Sequence, residues 1–118
     1  MPETFTIECL IQCENHLGEG PVWDVETQTL FWVDSTGPRV GKDAIWRFDP
    51  ATGDVQSWPL ERDIGAMALR AQGGATLAPS YGFSTSDFDN HAVELVAKGD
   101  DDPTRARLND RTCDRAGR

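Results

Sequence analysis

The chain has 118 residues, of which 38% are hydrophobic and 26% are charged. This balance is typical of one globular domain and excludes a disordered tail. Twenty Asp and Glu residues against eleven Lys and Arg residues give a net charge of −9. Such an excess of acid argues against nucleic acid or an anionic membrane as a partner and suits a cation site, although solubility alone also explains it.

The cysteines and the N-terminus indicate a cellular compartment. Cys9, Cys13 and Cys113 are odd in number and lack the spacing of a zinc knuckle, so we predict free thiols in a reducing compartment. Glu3 and Glu8 stand where a secretory signal has a basic end and a long apolar run, and no stretch approaches the length of a membrane span. We therefore predict a cytoplasmic protein without membrane attachment.

The first elements surround Glu19. Residues 5–11 alternate and then become apolar, which predicts a strand leading into a turn at Glu19. Glu19 lies between two glycines, so the backbone can bend there and direct the carboxylate towards a cavity at a strand end. From the spacing alone, an acidic residue in such a turn is usually only solvated. Residues 21–23 and 30–33 then form two apolar runs separated by a polar break, which predicts a β-hairpin.

Two further strands follow in chain order. Residues 44–48 alternate again, and residues 55–60 form another short run. Between them Pro50 fixes φ early and Gly53 accepts a positive φ late, which predicts a turn. The chain up to Leu60 is thus predicted to hold four short strands.

The pattern then repeats. Gly65 lies 45 residues after Gly20, and Asp110 lies 45 residues after Gly65. At the same offset of 45, residues 72–74 correspond to residues 27–29 of the first hairpin turn. A period of about 40–50 residues with four short strands per unit is typical of propeller blades, whereas a sandwich of irregular hairpins is the alternative. The absence of helical periodicity from Gly20 onward predicts an all-β fold.

The period also gives domain boundaries. Blade 1 is expected over about residues 15–60, blade 2 over 61–105 and the start of blade 3 over 106–118. Because propellers close with about four to eight blades, we expect an N-terminal fragment of a single propeller domain in a chain two to three times longer. Its isolated form is expected to expose an apolar blade face and an unpaired edge.

The motifs resemble a known family. Residues 17–24, with the sequence Leu-Gly-Glu-Gly-Pro-Val-Trp-Asp, and residues 30–34 resemble the opening of the regucalcin (senescence marker protein)/gluconolactonase family. The similarity continues through residues 45–53, 65–70 and 107–118. It implies a six-bladed β-propeller with one divalent metal ion in its central channel. It also implies an enzyme that hydrolyses sugar lactones to aldonic acids.

The resemblance implies roles for three residues. Glu19 matches a metal ligand, for Ca²⁺, Zn²⁺, Mg²⁺ or Mn²⁺. Arg107 and Asn109 match an Arg-x-Asn-Asp motif whose Arg and Asn bind the sugar lactone, and a guanidinium and an amide suit ring hydroxyls and a carbonyl. From spacing alone, Arg107 is a surface arginine and Asn109 belongs to an ordinary turn pair.

Other features depart from the family pattern. The remaining metal ligands, an Asn and an Asp that also serves as general base, are expected beyond Arg118, so the isolated chain is expected to be inactive. The loop at residues 36–43 is longer than usual, and Arg111 follows Asp110 where Gly is common. Two alternatives remain open: a non-catalytic divalent-cation-binding propeller or interaction platform, and a related propeller hydrolase for non-sugar substrates.

Overall fold

The computed structural model describes residues 1–35, 42–80, 82–99 and 108–118. Within these ranges the chain forms eight β-strands and no helix, which confirms the all-β prediction. The strands are β1 (Gly18–Asp24), β2 (Thr29–Asp34), β3 (Ala44–Phe48), β4 (Val55–Pro59), β5 (Ile64–Leu69), β6 (Ala75–Pro79), β7 (Gly82–Ser86) and β8 (Val93–Lys98). They make two antiparallel four-stranded sheets, each with its strands in chain order.

The predicted turns form where their residues require them. Asp24 closes the β1–β2 hairpin: its Oδ1 accepts from the Glu26 backbone N–H at 3.0 Å, and its Oδ2 accepts from the Thr27 hydroxyl at 2.6 Å. The Thr27 hydroxyl is the main reason why the pKa of Asp24 lies below its usual value. Between β3 and β4, Gly53 has a φ of 79° and donates its N–H to the Asp49 carbonyl at 2.8 Å.

The core lies between the two sheets. Because side chains alternate along a strand, β2 and β3 present every second residue to the second sheet. The buried apolar cluster comprises Phe31, Val33, Ile45, Trp58, Leu60, Ile64, Ala75 and Leu77. Phe88, in the turn between β7 and β8, completes it by stacking on Phe31, with ring centroids 4.7 Å apart, and by packing edge-on with Trp58 at 5.5 Å. The sheets therefore pack face to face, as neighbouring blades do.

The other face of the first sheet is covered by the chain that precedes β1. Trp32 and Trp46 stack there with ring centroids 5.7 Å apart. The Trp32 indole N–H donates to Asn15 Oδ1 at 2.6 Å, and the Leu17 N–H donates to Asp34 Oδ1 at 2.8 Å. These bonds fix the direction from which the chain enters β1.

The predicted strand over residues 5–11 is wrong. Within residues 1–35 no strand precedes Gly18, and Phe5 and Ile7 are 81% and 97% exposed. Alternation gives a segment one apolar face, but a strand also needs a neighbour that pairs with its backbone N–H and C=O groups. The described chain brings no such neighbour to this segment.

The first strands of the two sheets, β1 and β5, share one irregularity. In β1 the pairing with β2 shifts between Glu19 and Val22, and in β5 the pairing with β6 shifts between Ile64 and Met67. These bulges lie 45 residues apart, the spacing of the sequence repeat. A bulge bends its strand and redirects the side chains beside it. Gly20 accommodates the first one, with a φ of 61°.

Asp43 ties the two sheets together. It is buried, its Oδ2 accepts from the Ile64 N–H at 2.7 Å, and its own carbonyl accepts from the Leu60 N–H at 2.7 Å. Ser35 adds a hydroxyl bond to the Ile64 carbonyl at 3.2 Å. The start of β5 is thus held by side chains of the first sheet and its loops.

We expect Asp43→Ala to lower the free energy of unfolding by about 1–3 kcal/mol, because the buried Ile64 N–H loses its acceptor. The midpoint of urea denaturation measures the change. Asp54→Ala is the matched control, since it removes an exposed carboxylate from the β3–β4 turn. Equal shifts of the denaturation midpoint in the two variants would contradict a stabilising role for the bond between Asp43 and Ile64.

Candidate functional site

An open groove of about 860 Å³ lies beside the bulged strands β1 and β5. Its walls are residues 19–23 of β1, Val33 of β2, residues 65–69 of β5, and residues 109–113, which follow the second sheet. Most of the strand residues in this lining are apolar. Among the described residues of this lining, the charged and amide side chains come from Glu19 and from residues 109–113, so these two segments are the candidates for holding a polar ligand.

Glu19 places one carboxylate in this groove. It lies inside β1, which starts at Gly18 rather than at the predicted Pro21, and it is paired with Val33 at the edge of the bulge. Its Oε1 is buried and has no hydrogen-bond partner among the described residues. A buried carboxylate oxygen without a partner is costly. A cation or a hydrogen-bond donor in the groove would satisfy such an atom.

Asn109 reaches the same groove because the chain after Leu108 lies directly on β5. Gly65 is buried at the bulge, and a Cβ built there would clash with the Leu108 carbonyl and come within 3.0 Å of the Asn109 Cα. Only glycine allows this approach of two backbones. Asn109 is exposed to solvent and lines the groove. Glu19 and Asn109 therefore line one cavity from different repeat units.

Beyond the groove the chain makes a turn with the same backbone hydrogen bonds as the turn between β5 and β6 at residues 70–74. The Asp114 N–H donates to the Arg118 carbonyl at 3.0 Å, and the Asp114 carboxylate accepts from the Ala116 and Arg118 backbone N–H groups, both at 2.9 Å. The Arg118 N–H is the main reason why the pKa of Asp114 lies below its usual value. Residues 108–113 have no strand pairing among the described residues.

Arg107 lies outside the described residues, so its predicted role stays a prediction. The described part of the loop at 36–43 is likewise limited to residues 42 and 43.

Arg111 also lines the groove, although the sequence marks it only as a departure from the family pattern. It is half-buried, and its Nε is buried without a hydrogen-bond partner among the described residues. Its Nη1 lies 3.4 Å from Cys113 Sγ, and its backbone N–H donates to Asp110 Oδ1 at 2.8 Å. The available signal was its distance of two residues from Asn109, since period-two alternation directs both side chains the same way.

The described residues fit one ligand of an oxygen-coordinated divalent metal ion and not a complete set. Glu19 supplies a buried, unsatisfied carboxylate oxygen, which suits hard cations. Among the described residues no three His, Cys, Asp or Glu side chains gather into a metal-binding group. His16 is exposed, and His91 packs its ring against Trp58 at 4.8 Å, away from the groove. A divalent ion at Glu19 would therefore need further ligands from outside the described residues.

Two other sequence predictions concern the cysteines and the membrane. Cys9, Cys13 and Cys113 are free thiols, as predicted. In the portion of the chain that the structure covers, no helix has the length and apolar character needed to cross a membrane.

Fold and groove together define a class of protein. It is a repeat-built β-protein in which a carboxylate on β1, with one buried oxygen, and an amide that follows the second sheet line one groove beside β1 and β5. The family model for the SMP-30/gluconolactonase/LRE-like region matches residues 17–118. The chain belongs to this family, which confirms the resemblance seen in the sequence.

Individual relatives agree with this assignment. Regucalcin of Xenopus laevis is 39% identical over 112 residues, which are 95% of this chain and 36% of the relative. A 6-deoxy-6-sulfogluconolactonase of Pseudomonas putida is 33% identical over 113 residues, 96% of this chain and 37% of the relative. Regucalcin of Danio rerio is 32% identical over 112 residues, which are 95% of this chain and 36% of the relative. The chain thus spans little more than a third of the length of these curated relatives.

Proposed function

We propose that this chain is part of a metal-dependent sugar lactone hydrolase that opens a lactone to its aldonic acid. In this proposal residues 15–60 and 61–105 are the first two blades of a six-bladed β-propeller, and residues 106–118 begin the third. The protein is cytoplasmic and binds neither nucleic acid nor membrane. Membership of the family supports the proposal, as does a relative whose name describes a lactonase.

The observation that carries the proposal is the unsatisfied Glu19 carboxylate oxygen in the groove that Asn109 also lines. Glu19 is proposed as one ligand of a single divalent ion, Ca²⁺, Zn²⁺, Mg²⁺ or Mn²⁺. Such an ion, when bound, polarises a carbonyl and makes water more acidic. The other ligands and the Asp that serves as general base are expected in blades that follow Arg118. This set of blades together with the present chain is called the complete propeller below.

The residues of this chain would bind and orient the substrate. The Asn109 amide offers two donors and an acceptor to the sugar hydroxyls. The Arg107 guanidinium offers a planar set of donors for the lactone oxygens. Glu19, once it holds a cation, presents no free negative charge to the substrate carbonyl. In this proposal Arg107 and Asn109 bind the substrate and Glu19 binds the metal, so the two tasks fall to different repeat units.

Arg107→Ala in the complete propeller is expected to raise KM about tenfold or more with a smaller effect on kcat, because it removes contacts made equally in the ground state and the transition state. Initial rates at varied glucono-1,5-lactone concentration measure both constants. Arg105→Ala is the matched control, since it removes a neighbouring positive charge outside the Arg-x-Asn-Asp motif. A fall in kcat with unchanged KM would contradict the assigned role.

The proposal is tested by metal depletion of the complete propeller. Hydrolysis of glucono-1,5-lactone, followed by acid release, is expected to disappear after chelation and to return when one of the four metals is added. Binding of the same metals is measured by calorimetry. Metal binding without any lactone hydrolysis would overturn the enzyme proposal and support the non-catalytic cation-binding propeller.

A further inference from the structure

Arg111 changes the charge of the groove at one point. Among the described residues that line the groove, Arg111 alone carries a positive charge. The whole chain has a net charge of −9, so its general field repels anionic ligands. An anion can therefore be held in this groove only through a local contact with a donor such as this guanidinium.

Within the described residues the Arg111 guanidinium has one weak hydrogen-bond partner. Its Nε is buried and has no hydrogen-bond partner among the described residues, and its Nη1 meets only the Cys113 sulfur, a weak acceptor. Asp110 binds the backbone N–H of Arg111.

Glu19 and Arg111 line the same groove and do not satisfy each other. Within the described chain Glu19 Oε1 and Arg111 Nε both lack a hydrogen-bond partner. Opposite charges that can reach each other ordinarily form a charge-assisted pair. Neither charge is therefore neutralised by the other within the described chain. The groove therefore has the two charges needed to hold a metal and an anionic group at separate points.

We propose that Arg111 makes this groove selective for a sugar lactone that carries an anionic substituent, namely a carboxylate, sulfonate or phosphate. The guanidinium binds that substituent through its planar set of N–H donors. Asn109, two residues away, binds the sugar hydroxyls. This inference rests on the proposed lactonase function and adds to it the chemical class of the substrate.

The test compares two product-like ligands that differ in one anionic group. Calorimetry on the complete propeller measures the affinity for 6-phosphogluconate and for gluconate. We expect 6-phosphogluconate to bind at least about tenfold more tightly, and Arg111→Gln to reduce this ratio to about one. Arg111→Lys is expected to keep part of the ratio, because it retains the charge and loses the planar fork. The preference should weaken at high salt.

Arg115→Gln is the matched control, since Arg115 is exposed and lies outside the groove lining. It is expected to keep the wild-type ratio, and circular dichroism checks the fold of every variant. Equal affinities in the wild type, or an unchanged ratio in Arg111→Gln, would overturn the inference. Hydrolysis of glucono-1,5-lactone is measured separately, so a failed lactonase proposal is distinguished from a failed assignment of Arg111.

Discussion

Lactone hydrolysis by the complete propeller is expected to fall at least about a hundredfold when Glu19 is replaced by Gln. The substitution keeps the shape of the side chain and removes the negative charge that suits a divalent cation. Glu26→Gln is the matched control, because it makes the same change at an exposed position of the β1–β2 turn. Unchanged activity in Glu19→Gln would end the assignment of this residue to a metal.

Thermal unfolding gives this prediction a second readout. In the wild type, added metal is expected to raise Tm, because the ion binds the folded state and not the unfolded one. Glu19→Gln should lose this increase. In the absence of metal the variant should be at least as stable as the wild type, since Glu19 Oε1 has no partner among the described residues to lose. A variant that melts much lower without metal would indicate a structural role for the carboxylate instead.

Gly65→Ala is expected to destabilise the protein by about 1–3 kcal/mol and to lower kcat/KM for the lactone at the same time. The added methyl group would clash with the Leu108 carbonyl, and neither backbone can yield without moving. The segment that carries Asn109 would be pushed away from β5. Urea denaturation and initial rates measure the two effects.

Gly18→Ala is the control for this variant. Its added Cβ would come within 3.1 Å of a side-chain atom of Asn15, which can rotate, rather than of backbone. We expect a smaller loss of stability and little effect on kcat/KM. If Gly65→Ala has no larger effect than Gly18→Ala, the contact between β5 and Leu108 does not position the groove.

Sequence alone predicted those features that short-range rules determine. Period-two alternation located β1 to β4, and the Asp-Pro-x-x-Gly pattern located the turn before β4. The 45-residue spacing of Gly20 and Gly65 predicted that two units repeat, and the structure shows the spacing again in the paired bulges. These rules succeed because each concerns residues that are near one another in the chain or equivalent in the repeat.

Features that depend on distant partners were not predictable in this way. Residues 5–11 have the pattern of a strand and remain unpaired, because pairing requires a neighbour and not only a pattern. The availability of Arg111 depends on the absence of a partner for its Nε among residues brought near by the fold.

The close contact between Gly65 and Leu108 has a consequence for ligand binding. A ligand that bridges Glu19 and Asn109 can bind only while residues 108–113 lie on β5, so binding and this docking are thermodynamically linked. Its apparent affinity is reduced by the fraction of molecules in which the segment has detached. In return, a bound ligand would protect the amides of residues 108–113 from hydrogen exchange and would help to hold this segment on β5.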